Sequence, residues 1–515
     1  MRKFIFILFI TGLITCTGHA FGQTSEEYKK TGDAFLGVKD FQSAQENYTK
    51  AINKKGHDKK YIAILFAKRS MCWLQLKDYD KCLEDCNESI NLDSTQTDAY
   101  WNRGAVYEHN KNFQAAIYDY KKVITLFPGS EVRAIMYVSI AYNEFLLGDA
   151  DKATVADSLA IIYDPHYSRA FGVMGTINDA KKKYDEAVDD YTTAIYYYSG
   201  GNQTPLSFLY SNRAYDKMQL KKYKDAVNDF SYALTLSPDN RLAYWNRGAT
   251  YHRNGDYKLA TDDYTKAITY YSGDNKKLSL LYNDKASNEI GQDSLTEALK
   301  DDSLAINFDP ENKSAYWNAA TACTGSANYR QSIEVYKKLL NFYSTIPKAV
   351  AFIKSQMADN AYFLNSFNEA IGYCNDAIAG DSTNYYAYYT RAKIFLKDES
   401  KKKQAIGDFN KVLQCDTSKK SVEYIFSLFY TGNGDAAVAQ LQNDVLSTTN
   451  TAFVNGDYYN LACLYSLMKQ PDEANIYLKK AIDSGYSKKY AAADVDLDNI
   501  RNTDDYKTIM AAPSN

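Results

Sequence analysis

Polar and apolar residues follow one another along this chain with a helical period, in paired stretches separated by short turns. In NFQAAIYDYKKVI, Phe113, Ala116, Tyr120 and Val123 fall every three or four positions, and in DYKLATDDYTKAI the matching places belong to Tyr257, Ala260, Tyr264 and Ala267. Apolar residues at that spacing form one stripe of an amphipathic helix. Each such stretch follows another predicted helix that opens on a recurring phrase: AYWNRGAVY at Ala99, AYWNRGATY at Ala243, AYWNAATAC at Ala315 and AYYTRAKIF at Ala387. One spacing separates the later phrases and is doubled between the first two. A fixed period of this kind marks a stacked array rather than a globule with one core, and no alternating strand pattern competes with it.

The paired pattern resembles the tetratricopeptide repeat (TPR), a unit of about 34 residues with an aromatic, a Gly and a Tyr on helix A, then Ala, an aromatic and Ala on helix B, then Pro. Gly104 and Gly248 fill the Gly slot, while Tyr100 and Tyr244 stand where Trp is usual and Trp101 and Trp245 follow one residue later. Arg103 and Arg247 replace the usual Leu before the Gly. The resemblance implies an all-α, right-handed superhelical solenoid of about 11–13 helix-turn-helix repeats over residues 25–485. Residues 486–515 depart from the pattern and resemble the closing segment of bacterial TPR proteins, which implies a C-terminal capping helix. In repeat 8 the slots are held by Ala286, Leu295, Ala298, Ala305 and Pro310, and in repeat 4 by Ala153, Ala160 and Pro165.

Equivalent positions step alternately by a shorter and a longer interval, so the spacing between phrases is that of two repeats. The longer joints, KKGHDKK (54–60), YSGGNQTP (198–205), YSGDNKK (271–277) and YSTIPK (343–348), read as polar loops on one face.

Residues 1–22 read as a signal peptide: Arg2 and Lys3, then an apolar run from Phe4 to Cys16, then small residues at Ala20 and Gly22 before Gln23. The alternative is a lipid anchor at Cys16, where Leu13-Ile14-Thr15-Cys16 loosely resembles a lipobox. The expectation is an exported protein, periplasmic, envelope-associated or secreted. Cleavage takes Lys and Arg from 60 to 58 against 63 acids, a net charge of about −5, which argues against nucleic acid as a general partner. No later apolar run is long enough to span a membrane. Of the seven remaining cysteines, Cys72, Cys82 and Cys86 fall on facing helices of one repeat, as small core residues or, in an oxidising compartment, as a disulfide.

No catalytic motif stands out, and no cofactor, metal or enzymatic activity is expected. The acidic pairs Asp189-Asp190, Asp262-Asp263 and Asp301-Asp302 recur on helix B and read as a solvated face. The sharper candidate is aromatic. In the family, helix A lines the concave groove, and Trp101, Trp245, Trp317 and Tyr389 share one helix A slot, which Gly172 breaks in repeat 5. With Asn102 and Asn246 they read as a broken ladder for an extended peptide or a glycan; the alternative is that the rings pack on the neighbouring helix. The TPR carboxylate clamp is not matched: Asn212-Arg213 resembles its middle repeat, but Gly172, Thr176, Leu242 and Asn246 occupy the flanking places. The expected function is a non-enzymatic scaffold binding a protein or peptide on its concave face. The alternative is a surface glycan-binding protein, disfavoured by the lack of long insertions.

Overall fold

Hairpins of two helices follow one another through the computed structural model, which describes residues 23–447 and 451–512, residue 55 aside. The signal segment lies outside the described residues. Every regular element among the described residues is helical. The chain forms two compact units, one ending at Gly255 and the other beginning at Asp256.

Small side chains let the two helices of a hairpin close up. In repeat 3, helix A (Thr97–His109) lays Gly104 on Tyr120 of helix B (Phe113–Leu126). A Cβ on Gly104 would stand 2.8 Å from the Tyr120 ring, and Gly32 against Tyr48 and Gly175 against Tyr191 are alike at 2.8 and 2.9 Å. The Ala slots of helix B, such as Ala44, Ala51, Ala116, Ala187 and Ala194, are fully buried. The turn between the helices passes through one left-handed residue, for example Lys39, Lys77, Lys111 or Gly148.

The arginine before the Gly slot is an internal fork. Arg103 donates Nε and Nη2 to the two oxygens of Asp119, at 2.8 and 2.9 Å. Arg69 does the same to Asp85, Arg213 to Asp229 and Arg391 to Asp408, and Lys285 bonds Asp301 in repeat 8. Two parallel charged bonds fix both distance and angle between the helices.

The two-repeat period has a structural cause different from the expected loops. Helix A is 13 residues long in repeats 1, 3, 5 and 9, but 17 residues in repeats 2, 4, 6, 8 and 10. The extra residues of the long joints are one added helical turn. Its start is capped by Asp58, Asn202 and Asp274 or set by Pro347 at the first helical position.

The joints alternate in chemistry as well. At long joints a group near the end of one helix A meets the next: Glu108 accepts from Asn143 at 2.7 Å, Asp33 pairs with Lys68 at 3.0 Å and Thr324 donates to Asn360 at 3.0 Å. At short joints an Asn in the middle of helix A reaches back: Asn102 to the Ala67 carbonyl and Ser70 hydroxyl, and Asn318 to Asn283.

After the last hairpin, Tyr486 stacks on Tyr459 at 3.9 Å, and Leu497, Ile500 and Tyr506 enter the core of Ala462, Leu464 and Leu478. The cysteines among the described residues are free thiols, with Cys72, Cys82 and Cys86 buried.

Asp119→Asn leaves the Arg103 guanidinium half-paired. We expect it to cost about 2–3 kcal/mol, less than the ~3–5 kcal/mol of a fully enclosed pair because Arg103 keeps an edge in solvent. Hydrogen exchange across Thr97–Leu126 checks this, with faster exchange confined to that hairpin and its neighbours.

Candidate functional site

The acidic pairs are not a solvated face. Asp189 and Asp262 are exposed, but Asp263, Asp301 and Asp302 are buried. One member of each pair belongs to the slot that takes the arginine fork. In repeat 5 Met174 stands in place of that arginine; burial lifts the Asp190 carboxyl to about 6, and its donor is Asn178 at 2.7 Å. Asp302 goes further: it occupies the aromatic slot of repeat 8, as Asp157 does in repeat 4, and both are fully buried, Asp157 with no hydrogen-bond partner on either oxygen and Asp302 with only the Asn318 amide opposing its burial. Burial pushes each carboxyl up to about 8, Asp190 adding to the effect at Asp157 and Asp301 at Asp302. Asp216, beside Asp179 at the joint between repeats 5 and 6, is likewise held at about 8 by burial first and by Asp179 second. These groups carry no hydrolytic geometry; Asp157 and Asp302 are neutral acids inside their hairpins at neutral pH.

The aromatic candidates are half-buried and packed. Trp101 lies against the cluster of Tyr100, Ile117 and Tyr120. Trp317 meets Tyr336 edge-on at 5.6 Å and Phe352 at 5.8 Å. Trp245 is half-buried in helix Arg241–Asn254. Of the two asparagines, Asn102 has its amide engaged with repeat 2, whereas Asn246 is half-exposed and its carbonyl accepts from Thr250 at 2.7 Å. Trp101, Asn102, Trp245 and Asn246 belong to the first unit, and Trp317 and Tyr389 to the second.

Tyr389 has company of another kind. It packs with the core that holds the tail, at 5.9 Å from Phe409, and Lys393 one turn on lies over it and over Tyr362. Lys393 pairs with Asp496 of the tail at 3.5 Å, and Tyr459 donates to Asp494 at 2.7 Å. An acidic and apolar stretch of the chain, Asp494 to Asp498 with Leu497 fully buried, thus sits against a lysine framed by tyrosines.

A second slot, three residues before the tryptophan slot and therefore on the same helix face, was not singled out from sequence. It exposes large apolar side chains: Phe208 (51%) and Leu242 (46%) in the first unit, Leu280 (45%) and Phe352 (39%) in the second. Phe352 touches Trp317 and also Tyr386, which holds the same slot one repeat on, at 5.8 Å in each case. The signal was available, since an apolar residue three before the tryptophan slot recurs without any core partner to require it.

Among the described residues no helix is long and apolar enough to cross a membrane. None of the groups of His, Cys, Asp and Glu there could hold a metal ion.

A tandem array of helical hairpins with these slots defines a helical-repeat protein. Family models described as "TPR repeat" and "Tetratricopeptide repeat" match residues 214–255 and residues 97–130, 242–274 and 458–484 respectively. The chain is a tetratricopeptide repeat protein. It is similar to the Hsp70-Hsp90 organizing protein of Triticum aestivum, with 24% identity over 254 residues, 47% of this chain and 40% of that one. It is also similar to the DnaJ homolog subfamily C member 7 of Homo sapiens, with 23% identity over 61% of this chain and 66% of that one. The chain spans less than half the length of the first of these relatives. Among solved structures, Cut9 with Hcn1 aligns over 98% of both chains at 13% identity and a TM-score of 0.39, and MamA over 32% of this chain and 93% of its own at 23% identity and 0.29.

The buried acids predict a pH dependence. Their native carboxyls hold protons up to about pH 8, whereas the unfolded chain releases them near 3.8. The native state therefore binds more protons between those values, and stability falls as pH rises through that window. Asp302→Asn should raise the thermal midpoint at pH 8.5, by removing a buried, poorly partnered charge worth about 1–3 kcal/mol, with the gap closing towards pH 4. Thermal melts across that range check it.

Proposed function

We propose that this protein is an interaction scaffold that holds an extended segment of a partner protein along its helix A face. The reading rests on the row of exposed apolar side chains at one slot of helix A, of which Phe352, between the Trp317 and Tyr386 rings, is the clearest. Large apolar side chains recurring at that slot within the second unit, at Leu280, Phe352 and Tyr386, suit a partner that presents side chains at regular intervals. The relatives named for organizing Hsp70 and Hsp90 agree with a scaffold, but Gly172, Thr176 and Leu242 turn the reading away from a chaperone-tail clamp.

The test is crosslinking in cells, with a benzophenone side chain in place of Phe352 or, as a control on helix B, in place of exposed Ile162. A protein adduct from position 352 alone is expected. The partner's affinity should fall by about tenfold or more in the Leu280→Ser/Phe352→Ser double variant, as for loss of central apolar contacts. Adducts from position 162 alone, or an affinity unchanged in the double variant, would sink the reading. A glycan-array signal lost in that variant, with no protein adduct, would replace it by the sugar-binding one.

We read the segment 1–22 as an export signal that directs this scaffold to the cell envelope. Sequencing of the mature amino terminus is expected to begin at Gln23; a lipid-modified Cys16 at that terminus would establish the anchored form instead.

A further inference from the structure

Repeat 5 departs from its neighbours at both slots of the helix A face. In helix Ser168–Ala180 the apolar slot holds Arg169 and the tryptophan slot holds Gly172. Leu209 Cδ2 would press on a Cβ at Gly172 from one side, at 3.1 Å, and nothing else stands within 4 Å of it, so the slot is open on its other sides. Around it opens a groove of about 890 Å³. Tyr142 comes from repeat 4, Tyr167 and Arg169 from repeat 5, Tyr197 from the end of helix B of repeat 5 and Phe208 from repeat 6.

The charges at the groove are few. Arg169 is exposed and makes no ion pair or hydrogen bond among the described residues. The groove's acid, Asp164, accepts the His166 backbone N–H at 3.0 Å. A lone guanidinium beside apolar rings favours an anion carried on an apolar body. The same combination occurs elsewhere in the molecule with its occupant in place. Lys393, framed by Tyr362 and Tyr389, holds Asp496 of the tail, whose neighbour Leu497 is buried. One site is filled by an acidic and apolar stretch of the chain itself; the other stands open to solvent.

We propose that the groove at Gly172 binds an extended acidic and apolar segment of a partner protein, one large apolar side chain filling the Gly172 space and an adjacent carboxylate meeting Arg169. The groove shares Phe208 with the apolar row but none of the residues substituted in the crosslinking test above, so it stands or falls on its own experiment.

The experiment selects random peptides displayed on phage against the full chain, then measures synthetic copies of the enriched peptides by fluorescence anisotropy. Enrichment of Asp or Glu next to Phe, Trp or Leu is expected. Affinity should fall by about tenfold or more in Arg169→Glu, with selection on that variant shifting to basic residues, as reversal of a recognition charge does. Gly172→Trp, which installs the side chain of repeats 3, 7 and 9, should abolish binding. Arg169 is exposed, so its variant remains informative even where the tryptophan disturbs packing. Enriched peptides without acids, or peptides bound equally by both variants, overturn the proposal. So does a Gly172-dependent signal on an oligosaccharide array with no peptide enriched.

Discussion

The closeness of the two helices in each hairpin is the constraint on which the rest depends. Where Gly104 lies on the Tyr120 ring, the ring fills the volume that any side chain at position 104 would need. That contact sets the separation of the helices, and the arginine fork then sets their angle. Only with both fixed do successive hairpins present surfaces that match. The ring also works at its far end: the Tyr120 hydroxyl donates to Glu108, which in turn accepts from Asn143 of the next repeat. Packing inside one hairpin is thereby tied to packing against the next.

Polar groups do a different job from apolar ones. The Ala, Gly and ring slots are nearly interchangeable between hairpins, and by themselves would let any repeat stack on any other. The asparagines, threonines and carboxylates at the joints distinguish long from short. Asp157 and Asp302 show the cost of carrying such groups too far inward, since an aspartate in a ring slot has volume but lacks a full set of donors. Both lie in repeats that begin with a long helix A and share Asn-Glu in its last part, whereas the other long-helix repeats hold Cys86, Phe230 and Cys374 in the same slot.

Hairpins were legible from sequence because their determinants are local and periodic. Gly104, Ala116 and Tyr120 announce themselves by spacing alone. The arginine fork was legible too, since Arg69, Arg103 and Arg213 each precede an aspartate by 16 residues, but an arginine on an amphipathic helix reads first as surface. The long joints were misread because their residues are polar, and the first turn of an exposed helix is polar as well. The empty ring slots of repeats 4 and 8 were visible as gaps, although a gap in a pattern does not say that a carboxyl fills it. What no local signal carries is the return of the tail: the pairing of Lys393 with Asp496 joins residues far apart in the chain through the packing of the hairpins between them.

The alternation of short and long first helices bears on how such a chain can change length. Removing one hairpin would set two short helices, or two long ones, side by side and part groups such as Glu108 and Asn143, or Asp33 and Lys68, from their partners at the new seam. Excising two adjacent hairpins leaves every remaining seam with the partner it had. The heritable unit of growth and loss is therefore the pair, and related chains should differ in length by whole pairs of hairpins.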